Sequence, residues 1–252
     1  MMGFKNIEYL DINNMTLEEL NSKFFHFCSN NYSNAFDTVG IKPRIGKNSV
    51  GLDTEPSIFF SKGVEGILEV WDVWFKWKLN RLYNPLHNQN AKEEDIINWY
   101  YYYTNKEFYN NEEILSGTFD HMIEEMENSS YYLLDLIENE EFKYDQIDHK
   151  KVESIKNAKI NGRINPMTQI MYGEYSRFDT PIVDKWNMQT IPGKDITITP
   201  DRIKVLCADG KTDVMTILLN LYERYQNESI NKVDLPMLDK FVEYVNNKNM
   251  KL

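Results

Sequence analysis

"FFHFCS", residues 24–29, sets a histidine inside an aromatic run, and the reading of this stretch decides the fold. Phe24, Phe25 and Phe27 suit a pleated, half-buried surface, so the stretch reads as a buried strand. Upstream, Thr16 stands three residues before Glu19, the spacing of a capping box, and predicts a short helix over 17–22. Downstream, "SNNYSNAFDTVG" (29–40) opens with cap-type residues and closes on Gly40, which predicts a short helix or helical turn. Pro43, Gly46 and Gly51 mark the next stretch as loop, and "PSIFFSKG" (56–63) reads as a second buried strand. Two strands and a loop therefore border a pocket. An imidazole among phenylalanines must satisfy two ring nitrogens. It does so on a backbone carbonyl, or it presents one nitrogen to a ligand hydroxyl. The sequence leaves both open.

Beyond this core the clearest helix is "VEGILEVWDVWFKWKLNRLY" (64–83). Ile67, Val70, Trp71, Trp74, Phe75 and Leu79 form one apolar stripe, and Trp77 broadens it, so the helix is covered on more than one side. Residues 84–130 read as a mostly helical insertion, and "SYYLLDLIE" (130–138) as a strand. "EFKYDQIDHKKVESIKNAKI" (141–160) reads as a loop followed by a short helix. The last third returns to strands, with Trp186 and Met188 in one and Ile203, Val205 and Leu206 in another. Pro200 starts a single helical turn before the latter. "TDVMTILLNLYERY" (212–225) and "VDLPMLDKFVEYVNN" (233–247) are amphipathic helices. No repeat or linker divides the chain, so residues 1–252 read as one α+β domain.

Composition narrows the function. The 28 basic and 39 acidic residues give a net charge of −11, which excludes a broad nucleic-acid surface but leaves room for a pocket that takes one small anion. Cys28 and Cys207 belong to no Cys/His cluster, so no metal is expected. Two cysteines, no leader pattern and no apolar run near the ~20 residues of a membrane span predict a cytoplasmic protein with no membrane partner. Glycine-rich dinucleotide and phosphate loops, HExxH and GxSxG are absent from the sequence. His87, His121 and His149 read as surface residues. The adjacent pairs Glu93/Glu94, Glu124/Glu125 and Glu140/Glu141 read as solvated faces. The tyrosine run 100–103 offers faces on which bases stack, but with this net charge a helix packed on aromatics is preferred.

The order "FHFCS", helix, "GIKPRIG", loop, "SIFFSKG" resembles the ADP-ribosyltransferase-like fold. It looks most like divergent members such as the DNA-modifying toxins and the RNA 2′-phosphotransferases. The resemblance covers about 24–80 and 180–208, where "GKDITITPDRIKVLCAD" (193–209) is similar to a last core strand. It implies a split β-sheet core with a helical insertion at about 84–130 and C-terminal helices. It implies NAD as substrate, with ADP-ribose passed to a protein or nucleic-acid acceptor or to water, as in a bacterial toxin or defence factor. By the same resemblance His26 orients a ribose hydroxyl, with Ser29 beside it, one residue later than the commonest spacing. Gly40 precedes the basic loop, where Arg44 meets the pyrophosphate. Phe59 stacks on nicotinamide in place of the usual tyrosine, and Ser61 joins the nucleotide contacts. Glu174, in "MYGEYSRFD", takes the place of the catalytic carboxylate, with Gln189 as the alternative occupant. If Gln189 holds that place, the chain is a catalytically inactive nucleotide- or protein-binding module on the same fold. Each assignment has a structural counterpart: Arg44 and Glu174 as surface charges, Phe59 and Phe60 as core.

Overall fold

The computed structural model describes residues 4–45, 55–143, 159–160, 162–164 and 188–249. Its centre is a six-stranded mixed sheet in the order β1-β8-β4-β2-β3-β7, where β1 is Glu8–Asp11, β2 Phe24–Ser29, β3 Phe59–Lys62, β4 Ser129–Leu134, β7 Met188–Gln189 and β8 Ile203–Cys207. β1 runs parallel to β8, and the other neighbours in this sheet are antiparallel. A separate hairpin joins β5 (Lys159–Ile160) to β6 (Arg163–Ile164). Strand β1 has no signal in the sequence reading, because "EYLD" is short and polar at both ends. Residues 159–160 are strand where the sequence suggested the end of a short helix, since the hairpin partner at 163–164 supplies bonds that local propensity does not register.

Seven helices are described: α1 (Leu17–Asn21), α2 (Ser33–Thr38), α3 (Gly63–Tyr83), α4 (Glu93–Thr104), α5 (Glu112–Glu127), α6 (Val214–Glu228) and α7 (Pro236–Asn249). The capping box of α1 forms as the sequence predicts: Glu19 N–H donates to Thr16 Oγ1, and Thr16 N–H to the Glu19 carboxylate. Asn111 caps α5 and Asp213 caps α6 in the same manner, each accepting from the third helical N–H.

Strand pleating sorts the side chains into two cores. Phe25, Tyr131, Leu133 and Leu206 face the helices, where α3 packs against α1, α5, α6 and α7. Phe24, Cys28, Tyr132, Leu134, Val205 and Phe60 face the other way, under Phe36 of α2 and Phe142. Helix α3 is the hub of the first layer, which explains buried polar groups on it. Asn80, for instance, accepts from Trp99 Nε1 at 3.3 Å and Asn84 Nδ2 at 2.9 Å.

An ion-pair clasp closes the second layer. Both Arg202 Nη atoms reach the Glu141 carboxylate at 2.7 Å, and Arg202 also donates to the Asp135 carbonyl. The guanidinium holds the Glu141 carboxyl below its ordinary 4.5, against the opposing pull of burial. A carboxylate whose folded-state value is depressed stabilises the fold fully above its unfolded value and loses that contribution as pH falls through the folded one. Glu141→Gln is therefore expected to cost about 1.5 kcal/mol at pH 7. The gap to wild type should close as urea titrations are taken to increasingly acid pH; a constant gap would refute the assignment.

Among the described residues no helix is long and apolar enough to cross a membrane.

Candidate functional site

The region around His26 is built from three elements. Strand β2 carries His26 and Cys28 on one face, two residues apart. Its ladder with β4 runs along the whole strand, from Phe24↔Leu134 to Ser29↔Ser129, and sets Tyr132 directly opposite His26. Its ladder with β3 registers only Phe24↔Lys62 and Phe25↔Ser61. Where that ladder stops, the imidazole takes over: His26 Nδ1 lies 2.7 Å from the Phe59 carbonyl oxygen. The β2/β3 ladder thus ends one residue before His26, and the imidazole makes the next link between the two strands.

A carbonyl oxygen only accepts, so Nδ1 carries the proton and Nε2 presents a lone pair. Burial drives the ring's pKa down from 6.5 to about 4, opposed by the Phe59 carbonyl and assisted by the Arg44 charge. The ring is neutral at pH 7. Nε2 is buried and has no hydrogen-bond partner among the described residues, and the same holds for the Tyr132 hydroxyl across the ladder. A buried polar group without a partner costs about 1–3 kcal/mol. Two of them on a register pair call for a reason beyond packing.

The third element is the arm that follows α2. Gly40 has φ +89°, and a Cβ there would lie 2.1 Å from the Ile198 carbonyl oxygen, so only glycine allows the approach. Ile41 and Ile198 then exchange both backbone bonds at 2.9 Å, and Arg44 pairs with Ser57. This pairing delivers Arg44 to the His26 face. Its guanidinium lies 4.2 Å from the Tyr32 ring centroid, and Nη2 donates to Cys28 Sγ at 3.3 Å. Arg44 is exposed, and no described carboxylate pairs with it. Among the described residues its only side-chain hydrogen bond is the one to Cys28. Burial pushes the Cys28 thiol up, outweighing Arg44, so it is a neutral thiol rather than a nucleophilic thiolate.

The other expected site residues fall as follows. Ser29 lies at the end of β2, where its hydroxyl accepts from Asn31 N–H at 3.4 Å as a turn cap. Phe59 meets His26 through its carbonyl. Its ring alternates away from Phe60, which joins the buried cluster with Cys28 and Phe36. Ser61 is buried, its hydroxyl donating to the Phe25 carbonyl at 3.4 Å. Gln189 is buried on β7 and accepts from Ser57 Oγ at 3.2 Å. Glu174 and Trp186 lie outside the described residues. Tyr132, Tyr32 and Cys28 are the additions that sequence reasoning missed. "SYYLLDLIE" signals a strand, but nothing local says which tyrosine of the pair will face His26.

No protein-family model matches the chain, and no curated protein and no solved structure matches it either. Among the described residues no three His, Cys, Asp or Glu side chains gather in a group that could hold a metal ion.

Proposed function

We propose that this chain binds NAD at the open end of the β2/β3 ladder and transfers ADP-ribose from it, as the ADP-ribosyltransferase-like resemblance implies. The observation that carries the reading is the unpaired Nε2 of a neutral, tautomer-fixed imidazole beside a break in the sheet. Such a nitrogen accepts a hydrogen bond from a hydroxyl and repels an anion's lone pairs. It suits a ribose, while the exposed Arg44 suits the phosphates joined to it. A guanidinium matches phosphate oxygens in pairs, and the Tyr32 face holds it in place.

On this reading His26 fixes the sugar and Arg44 fixes the pyrophosphate. The bond between ribose C1′ and the nicotinamide nitrogen breaks, the bonding electrons leave with nicotinamide, and the oxocarbenium-like sugar is captured by an acceptor nucleophile or by water. The resemblance assigns Glu174 to stabilise that developing positive charge. Phe59 contributes its carbonyl, which orients His26, in place of the stacking ring expected of it.

The test is nicotinamide release from NAD+ by the purified chain. His26→Ala is expected to lower it roughly a hundredfold through lost positioning, and Glu174→Gln to abolish it. Because protonation below pH 4 to 5 blocks Nε2, NAD+ affinity should be flat between pH 6 and 8 and fall only on strong acidification. No turnover together with an NAD+-dependent rise in melting temperature would assign the chain to the binding module instead. No turnover and no thermal shift would overturn the reading altogether.

A further inference from the structure

A separate surface feature lies far along the chain from His26. It is an open groove of about 640 Å³ between α4, the end of α3 and the start of α5. One face is a stripe on α4: Asp95, Trp99 and Tyr102, at spacings of four and three, with Tyr101 beside them. Tyr83, from the last turn of α3, also lines the groove. Glu107, in the turn after α4, interacts with Tyr102 and so lies at the far end of the stripe from Asp95. Asp95 and Tyr102 are separated by roughly 10 Å along the helix, at a rise of about 1.5 Å per residue.

Among the described residues the lining combines four aromatic rings and two carboxylates with Pro85, Ile114 and two asparagines, and has no lysine, arginine or histidine. Asp95 uses one oxygen to accept from Lys92 N–H, and Glu107 accepts only a long bond from Asn105 Nδ2 at 3.4 Å. Neither carboxylate is ion-paired with a described residue. Tyr101 is 59% exposed and Tyr83 36%, so both rings are accessible to a ligand in the groove. Trp99 is held in place by its bond to Asn80, so its face is preorganised.

We infer that this groove is a binding site for a linear organic polycation, a triamine of the spermidine type. Ammonium groups meet Asp95 and Glu107 at the two ends, and the methylene segments and the central ammonium lie on the rings of Trp99, Tyr102, Tyr101 and Tyr83. Aromatic faces attract ammonium ions through their quadrupoles, and they cover methylenes that a bare carboxylate cluster would leave in water. The spacing of the carboxylates decides between a free molecule and a side chain reaching in from a partner. Asp95 and Tyr102 alone stand roughly 10 Å apart along α4, and Glu107 lies at the Tyr102 end, so one lysine or arginine cannot meet both carboxylates. The inference is independent of the NAD reading, since no residue of the His26 region lines the groove.

The experiment is calorimetric titration of the full chain with spermidine at constant ionic strength, with indole fluorescence as a second signal. The expected result is saturable one-site binding that weakens about tenfold in the Asp95→Asn/Glu107→Gln double variant and severalfold in Tyr101→Ala. All three side chains are exposed, and circular dichroism checks that both variants stay folded. Magnesium at equal charge concentration should not displace spermidine, because it has nothing to place on the rings. Absence of binding, equal affinity in the double variant, or displacement by magnesium would each overturn the inference. So would tighter binding of a lysine-rich peptide than of spermidine, which would make the occupant a polypeptide. Nicotinamide release is not a readout in any arm.

Discussion

Phe75→Ala is expected to lower the unfolding free energy by about 4 kcal/mol. Phe75 is fully buried at the middle of α3. Its ring centroid lies 4.6 Å from Phe241 of α7 and 5.4 Å from Phe119 of α5, and Phe119 and Phe241 are themselves 5.5 Å apart. Three rings from three helices thus close on one another, and Trp71 joins from the previous turn at 6.2 Å. Alanine removes both the buried area and the ring contacts. The cavity cannot collapse easily, because each wall is anchored to a different helix. Urea unfolding should show a lower midpoint with an unchanged slope. A loss under 1.5 kcal/mol would mean that the three-helix junction relaxes freely. Phe75→Leu, which refills most of the volume, should recover more than half of the loss.

Asp72→Ala is expected to cost about 3 kcal/mol, for an electrostatic reason. Asp72 is 4% exposed on α3. Its Oδ1 accepts from the backbone N–H groups of Met237 at 2.7 Å and Leu238 at 3.1 Å, the first turn of α7, and Oδ2 pairs with Lys76 one turn on. A carboxylate from another helix therefore caps α7 and meets the positive end of its dipole. Alanine leaves two buried donors and a lysine without partners. Asp72→Asn keeps an acceptor for the N–H groups but loses the charge, and should cost about half as much. Amide exchange at Met237 and Leu238 should accelerate in both variants relative to the centre of the sheet. If the two variants lose the same stability, the acceptor that asparagine keeps contributes nothing and the capping account fails.

Much of the architecture could be read from local pattern. The α1 capping box, the α3 stripe, the strand at 24–29, the turn opened by Pro200 and the two C-terminal helices are each set by residues a few positions apart. Such signals survive folding, because the interactions that make them are local. β1 was illegible for the opposite reason. Four residues become a strand only because Ile203–Cys207 lies alongside, nearly two hundred positions later. Strand β4 also ends earlier than its apolar run. Beyond Leu134 the Arg202 clasp draws the Asp135 carbonyl, and the chain leaves the sheet.

At the candidate site the division is similar. That His26 needs partners for two nitrogens follows from its neighbours in sequence. That one partner is the Phe59 carbonyl, and that the other nitrogen is buried without a partner among the described residues, depends on where the β2/β3 ladder stops. The use of Gly40 as the pivot that carries Arg44 to Tyr32 and Cys28 required the approach of Ile198.

By itself, then, the chain order determined the segments whose period, caps and turn chemistry are local, among them the strand at 24–29, the long helix at its centre and the two C-terminal helices. The partners were decided only in three dimensions: Tyr132 opposite His26, Asp72 at the head of α7, and Asp95 and Glu107 at two ends of one aromatic groove. Register and helix contact join residues that sequence distance keeps apart, and the energy that selects them is released only when the layers close.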